Sequence, residues 1–443
     1  MTRISGWGRY PVVDTQMMTA RNADDICRAT RGASGFVARG NGRSYGDAAM
    51  GTHRTIATAG LDRILNFDPE TGVVTVEAGV LLATLIEAYF PSGFFPFVVP
   101  GTRFVSVGGA IAADIHGKNH HRAGGFGESL LSLLLATADG SLLRASRVEN
   151  PDIFAATIGG MGLTGTIIEA TLKLQPVETG WIQQRTEVAP NLAAAMTALE
   201  KGDSATYSVA WIDCVAKGAG LGRSLVFFGE HAGIDDLSGP ARADRFPKIN
   251  APRLSVPLEF PEFALNRWSL TAFNELYFRL GARRGPDPLL VPAGAYFFPL
   301  DAVGQWNRIY GRRGFIQHQC VLPIKTAPET LAEILGRIGA RGTGSFLTVL
   351  KKLGPGSGLL SFPFAGYTLA IDFPMSSDLL EFLDELDRLV VAAGGRLYLA
   401  KDARQSQATF EAGYPGLKSF RDIRHSLDPA RLVRSRLAER LGI

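Results

Sequence analysis

Three glycine-rich loops crowd into the first 175 residues of this 443-residue chain. They read RGNGRSYGD at residues 39–47, PGTRFVSVGGAIAADIHG at 100–117 and GGMGLTG at 159–165. Glycine loses more conformational freedom on folding than any other residue. It is kept where the backbone must bend left-handed or lie close against something. One such loop is an ordinary turn cluster; three in one region call for another reason. Backbone N–H groups from loops of this kind cradle a pyrophosphate without Rossmann geometry. The first loop is not a Rossmann fingerprint. Its spacing is G-x-G-x-x-x-G, and no apolar helix follows it.

Between the loops the chain reads as short strands: GFVARG, TIATAG, ILNFD and GVVTVEAGV, separated by turn chemistry such as DPETG. LATLIEAYF has the apolar spacing of a helix. LLSLLLATADGSLLRAS reads as two strands around an Asp-Gly turn. Composition shifts near residue 176, and 443 residues exceed one compact core. The expected units are 1–175, 176–405 and a helical C-terminal segment, 406–443. Within the second, residues 232–262 carry several prolines and little periodicity and are expected to form a mobile loop.

The bulk numbers exclude several classes. A 46% hydrophobic and 20% charged content belongs to a folded globular protein. The net charge is only +4, with no Lys/Arg block of the kind that tracks nucleic acid. Cys27, Cys214 and Cys320 are far apart, so neither a disulfide framework nor a cysteine zinc site is indicated. The N-terminus shows no apolar signal segment. The longest apolar stretch, 79–101, is broken by Glu87, Pro91 and Pro96 and does not read as a membrane span. The expected location is cytoplasmic, or peripheral at a membrane.

Residues 113–121, ADIHGKNHH, hold three of the seven histidines: His116, His120 and His121, beside Asp114 and Lys118. A metal site needs such ligands to converge. Gly108, Gly109 and Gly117 argue against the regular helix that would align His116 with His120. Adjacent His120 and His121 diverge on a strand. No metal is therefore expected, and the pair is read as solvated or as orienting the loop.

The set ARGNGRSYGD, VEAGV, PGTRFVSVGGAIAADIHGKNHH and GGMGLTGTI resembles the FAD-binding domain of the vanillyl-alcohol-oxidase-type flavoproteins. Within them it resembles the branch that oxidises polyprenylphosphoryl-ribose. YSVAWID, PLDAVGQWNRIYGRRGFIQHQCVLP, SFPFAGYTLAIDFP and LYLAKDAR follow in that branch's order, so the resemblance runs over nearly the whole chain. It implies an α+β, two-domain fold of the FAD-binding PCMH type, with an antiparallel-sheet substrate domain and the C-terminal helices packed back on the cofactor domain. It also implies FAD. Relatives that hold FAD covalently use a histidine in the first loop; Arg43 stands there, which points to noncovalent FAD.

The same resemblance assigns residues. Ala38, Arg39, Gly40, Asn41, Gly42, Arg43, Ser44, Tyr45, Gly46 and Asp47 would wrap the cofactor from the first loop. Gly101, Ser106, Val107, Gly108, Gly109, Ala113, Asp114, Ile115 and His116 would do so from the second, with Ile167 and Tyr398. Lys401 is the principal catalytic residue, with His116 and Tyr45. Taken alone, a lysine on a mixed strand is usually a surface charge. A fixed cation here would lower the energy of the negative charge that hydride transfer leaves on a flavin. Gln317, Gln319, Lys351, Thr368, Ala370 and Lys401 would line the substrate pocket. Four positions depart from the branch. Phe297 and Phe298 replace a Tyr-His pair, Thr368 an asparagine, and Ala370 a cysteine that covalent nitroaromatic inhibitors attack.

The implied reaction is oxidation of the ribose 2′-hydroxyl of a polyprenylphosphoryl pentose, the keto product passing to a separate NAD(P)H-dependent reductase. Its proton acceptor is not identified. The polyprenyl tail would lie along 232–298. The rivals are a sugar-alcohol or aldonolactone oxidase with a soluble substrate, and a flavin- or lipid-carrying protein without catalysis.

Overall fold

The computed structural model describes residues 1–249, 254–261, 265–283, 285 and 287–443. Its first sheet runs Thr2–Ser5, Val12–Thr19, Arg54–Ala57, Phe36–Arg39. The last three strands are parallel, with helix Ala23–Thr30 as a crossover. Asn22 starts that helix by accepting from the Asp25 N–H, and Asp24 and Asp25 sit in its positive first turn. Strand Phe36–Arg39 runs straight into the first glycine loop.

The second sheet is antiparallel. Its order is Ile64–Asp68, Val73–Glu77, Thr166–Pro176, Leu130–Ala136, Leu142–Ser146, with Phe94–Pro96 also on the central strand. Ile168, Ala170, Leu172 and Leu174 alternate along that strand into the core.

The third sheet has eight antiparallel strands. They run Leu289–Pro292, Trp181–Ala189, Ser224–His231, Tyr207–Ile212, Val349–Leu353, Gly366–Pro374, Phe315–Pro323, Arg396–Leu397. Helices Leu192–Lys201, Ala327–Arg341 and Leu379–Ala392 cover one face. Leu331, Ile334, Leu335 and Ile338 recur at helical spacing and are fully buried there, each contributing about 1.5–3 kcal/mol. The strands answer with Ile316, Cys320, Leu322, Leu369, Ile371 and Phe373. Period two therefore puts Gln317, Gln319, Thr368, Ala370 and Asp372 on the opposite face, toward the glycine loops.

The second sheet ends at Pro176 and the third begins at Trp181. Helices Leu417–Leu427 and Arg436–Leu441 return to the first sheet. Val433 bridges Phe36, and Arg440 pairs with Asp47 at 2.9 Å. Within 232–262, residues 250–253 and 262 lie outside the described residues. The described part holds helix Gly239–Ala243 and a two-residue strand, Leu254–Ser255, parallel to Val303–Gly304.

Candidate active site

The three glycine loops meet. Asn41 Nδ2 donates to the Phe104 carbonyl at 2.7 Å, and a Cβ on Gly40 would stand 2.0 Å from Ser106 Oγ. The third loop joins the second through Gly159 N–H to Ile111 O and Met161 N–H to Ala112 O. Ser106 caps the short helix Val107–Ala112 by accepting from the Gly109 N–H.

A fourth segment, LYLAKDAR, locks onto this group. Tyr45 N–H donates to Ala400 O at 2.9 Å, and Tyr398 OH donates to Ala113 O at 2.9 Å. Tyr398 N–H bonds Gln319 O, fixing the segment to the polar sheet face. Tyr398 also stacks on Phe362 at 4.6 Å. Lys401 is thereby aimed inward, its Nζ 3.6 Å from the centroid of the Tyr45 ring. Tyr45 is held edge-on against Phe315.

On the polar face, Gln319 Nε2 lies 2.9 Å from His116 Nε2 and 3.2 Å from Thr368 Oγ1. The amide N–H donates to the ring, so the histidine proton sits on Nδ1, which is buried without a partner among the described residues. Burial first, then Lys351, His120 and Lys401, hold His116 well below the usual histidine range, so it is neutral. Gln317 Nε2 donates to Asp372 Oδ1 at 2.6 Å, and Tyr310 OH donates to Oδ2 at 3.2 Å. Burial lowers Lys351 to about 8. Burial lowers Lys401 to about 7, against the opposing pull of Asp372. Burial raises Asp372 to about 6. Neither Lys351 nor Lys401 has an ion-pair partner among the described residues.

These residues fit FAD. The glycine loops offer backbone at close quarters, and His116 Nδ1–H and Arg43 Nε are buried donors with no acceptor among the described residues. Arg43, where the linking histidine would stand, lies 4.1 Å over the Trp7 ring. Two unpaired lysines suit an acceptor that gains negative charge.

The structure gathers Tyr45, His116, Gln317, Gln319, Lys351, Thr368, Ala370, Tyr398 and Lys401 around one wall, and shows what other residues expected there are bonded to within the protein. Arg39 spends its guanidinium on Ser5 O and Ala49 O, and Asp47 on Arg440. Asp114, at φ +38, accepts from Gly127 N–H and Ser361 Oγ–H. The Ile167 side chain is in the core. His120 is not solvated. It is 1% exposed and accepts the Gly354 N–H on Nδ1, while His121 bonds Ala205 O. Both orient the loop. Phe297 and Phe298 are buried at 2%, Phe297 between Phe95 and Tyr207, in the aromatic core. No group of His, Cys, Asp and Glu able to hold a metal occurs among the described residues.

Sequence reading gave no role to Asp372 or Lys118. Asp372 lies two residues beyond Ala370 on a strand whose period of two had already pointed Thr368 and Ala370 inward. That period was the available signal. Lys118 lies inside the histidine motif. Its Nζ bonds Tyr296 O and sits 4.1 Å over that ring, and burial brings it to about 7.

Residues 16–146 match the family model described as an FAD binding domain, and residues 367–441 that of D-arabinono-1,4-lactone oxidase. With the site geometry, this defines an FAD-dependent oxidoreductase acting on CH–OH groups. Similarity along the full length narrows the class. The chain is 40% identical to decaprenylphosphoryl-β-D-ribose oxidase of Mycolicibacterium smegmatis, covering 100% of this chain and 97% of that protein. It is 37% identical to an uncharacterized protein of Streptomyces coelicolor over 82% of this chain and 100% of that protein. L-gulonolactone oxidase of Mus musculus is 33% identical over 34% of this chain and 36% of its own length. The chain belongs to the decaprenylphosphoryl-β-D-ribose oxidase family.

Proposed function

We propose that the chain oxidises the 2′-hydroxyl of a polyprenylphosphoryl-β-D-ribose to the 2′-ketone, the first half of epimerisation to an arabinose donor. A separate NAD(P)H-dependent reductase would take the ketone. The observation that carries this reading is the full-length likeness to decaprenylphosphoryl-β-D-ribose oxidase, at 40% identity. The wall of Gln317, Gln319, Lys351 and Lys401 is what a polar sugar bearing an anionic group needs.

FAD, when bound, supplies the two-electron acceptor. The protein supplies position and charge. Gln319, its two amide N–H groups held by Thr368 and His116, would have its carbonyl oxygen left to accept from a sugar hydroxyl. Lys401 places a cation where negative charge develops, and in a site closed to water that cation acts strongly. Lys351, on the neighbouring strand, suits the substrate phosphate.

The prenyl tail would leave past helix Arg267–Ala282, which turns Trp268, Leu276 and Leu280 outward. We propose peripheral contact with a lipid surface there. No helix among the described residues is long and apolar enough to cross a membrane.

A second reading, a soluble sugar-alcohol or aldonolactone oxidase, draws on the match of residues 367–441 to D-arabinono-1,4-lactone oxidase. Anaerobic bleaching of the flavin with polyprenylphosphoryl pentoses and free polyols separates the two. Bleaching by the ribose lipid alone supports the first. Bleaching by polyols but not by the ribose lipid overturns it.

A further inference from the structure

We infer that Asp372 is the catalytic residue that takes the hydroxyl proton when the substrate alcohol is oxidised. This rests on the reading that the site oxidises an alcohol; it does not depend on which one.

The position comes from the sheet. Asp372 pairs with Gln317 across the strand pair and shares a face with Thr368 and Ala370. It is 1% exposed, a costly place for a carboxylate, and it has no ion-pair partner within 4 Å among the described residues. Its two hydrogen bonds, from Gln317 and Tyr310, come from neutral donors. They use about half of the roughly four acceptor positions a carboxylate offers. They hold the group without neutralising it. Gln317 faces it from its own sheet. Tyr310 faces it from the 3-10 turn Trp306–Tyr310, Tyr45 from the first loop, and Lys401 from the segment behind. Lys351 stands on the strand beside it and Arg43 beyond Tyr45.

The other buried acids near the cofactor loops are committed elsewhere. Asp114 accepts from Gly127 and Ser361, and Asp47 and Asp402 hold Arg440. Asp301 accepts from the Arg103 N–H. His116 is a poor candidate for the base, because its Nε2 already accepts from Gln319 and its Nδ1 carries the proton. Lys401 serves the reaction as a cation, which excludes it as the acceptor.

The step balances. The O–H bond breaks and its proton goes to a carboxylate oxygen of Asp372. The electron pair it leaves closes the C=O bond. The C–H hydrogen leaves with its own electron pair, for which FAD, when bound, would supply the two-electron acceptor. Protonation makes Asp372 neutral, which would release the Lys401 charge it attracts to favour negative charge on the acceptor. Burial helps: with Asp372 raised to about 6, proton transfer from an alcohol is less uphill than to an ordinary carboxylate.

The test is Asp372→Asn on the FAD-loaded protein. Asparagine keeps the shape and a carbonyl for Gln317. Three quantities are read: FAD content, substrate binding from the shift of the flavin spectrum, and the single-turnover anaerobic bleaching rate from pH 5 to 9. For the wild type, the rate is expected to fall as pH drops through about 6, because the base must be ionised. The variant should hold FAD and bind substrate within about threefold, bleach about 10²–10⁴-fold more slowly, and lose the acid limb. Bleaching within about threefold of wild type, an acid limb that persists, or a rate loss wholly matched by lost FAD or substrate binding would overturn the proposal. Should the asparagine variant not fold, Asp372→Glu reads the same limb. It should be slower with the limb kept; a lost limb overturns the assignment. The panel includes the ribose lipid and free polyols. Polyol bleaching without ribose-lipid bleaching overturns the substrate reading and still tests Asp372. No bleaching by any alcohol overturns both.

Discussion

Lys401 is where charge, burial and position coincide. Its ammonium lies against the Tyr45 ring and has been brought to about 7 by burial. Its proposed role is that of a cation, so the bleaching rate should fall as pH rises through about 7, opposite in sign to the Asp372 limb. Lys401→Ala should remove that alkaline limb and slow bleaching about 10²-fold or more, as for loss of one charge-stabilising donor. Stopped-flow bleaching across pH checks both; a variant that bleaches at the normal rate removes Lys401 from the chemistry. Ala370 gives a second prediction. It pairs with Gln319 on the site wall. Cys320, one residue along, is fully buried on the helix side with its thiol pushed up to about 12. A thiol so held is inert. The wild type should form no covalent adduct with a nitroaromatic that the flavin reduces, and Ala370→Cys should form one, read by intact mass after turnover. The same strand shows what was legible beforehand. Lys401, Gln319 and Ala370 stood out through resemblance. Asp372 did not, because a lone acid in an apolar strand looks like an ordinary edge charge until its partners Gln317 and Tyr310, 55 and 62 residues away, are in place.

The elements near the site were largely readable, and their couplings were not. Strand Phe36–Arg39, helix Leu82–Tyr89 and the hairpin Leu130–Ala136 with Leu142–Ser146 follow local pattern and turn chemistry. The fate of the histidine stretch does not. The one-turn helix His120–Ala123 is held by Gly354 and Ala205, contacts that a local pattern cannot carry. Glycines divide in the same way. A Cβ on Gly46 would stand 1.7 Å from Asp402 O, in backbone that cannot swing aside, whereas one on Gly101 meets nothing within 4 Å. Gly46→Ala should therefore push the Lys401 segment off the first loop. Overpacking of this kind costs about 1–3 kcal/mol, and a shift of about 1 Å at a catalytic group costs up to about 10²-fold in rate. Melting temperature and bleaching rate should both fall. Gly101→Ala should leave the melting temperature of the FAD-free protein unchanged. If it weakens FAD binding, Gly101 lies against the cofactor. Equal melting temperatures for Gly46→Ala and wild type would show that the two segments are not locked together as described.

At the scale of the molecule, one surface is out of keeping with a protein that meets only water. Helix Arg267–Ala282 buries Leu270 and Asn274, and Asn274 bonds Asp213 at 2.7 Å. Its outer side leaves Trp268 81% exposed, Leu276 59% and Leu280 50%. Scattered surface leucines need no explanation, but a contiguous apolar face with tryptophan at one end marks an interaction site. Arg267, Arg279 and Arg283 are exposed along the same helix, and Trp211 packs on Tyr277 at 4.7 Å, tying it to the sheet that carries Lys351. Arg279 pairs with Glu275 on the same helix, and the proposed lipid contact rests on the apolar side chains with Arg267 and Arg283 beside them. Such a surface beside the sugar wall would let a prenyl-anchored substrate reach the site without leaving its bilayer. Replacing Trp268, Leu276 and Leu280 with serine should abolish co-sedimentation with anionic phospholipid vesicles, since burying each is worth about 1.5–3 kcal/mol. It should leave melting temperature and turnover of a detergent-dispersed short-prenyl substrate within about twofold, and reduce turnover of the vesicle-borne substrate about tenfold or more. Vesicle binding that survives the triple change would move the lipid contact elsewhere. A wild type that does not bind vesicles at all, but dimerises through this helix, would assign the apolar face to a second copy of the chain.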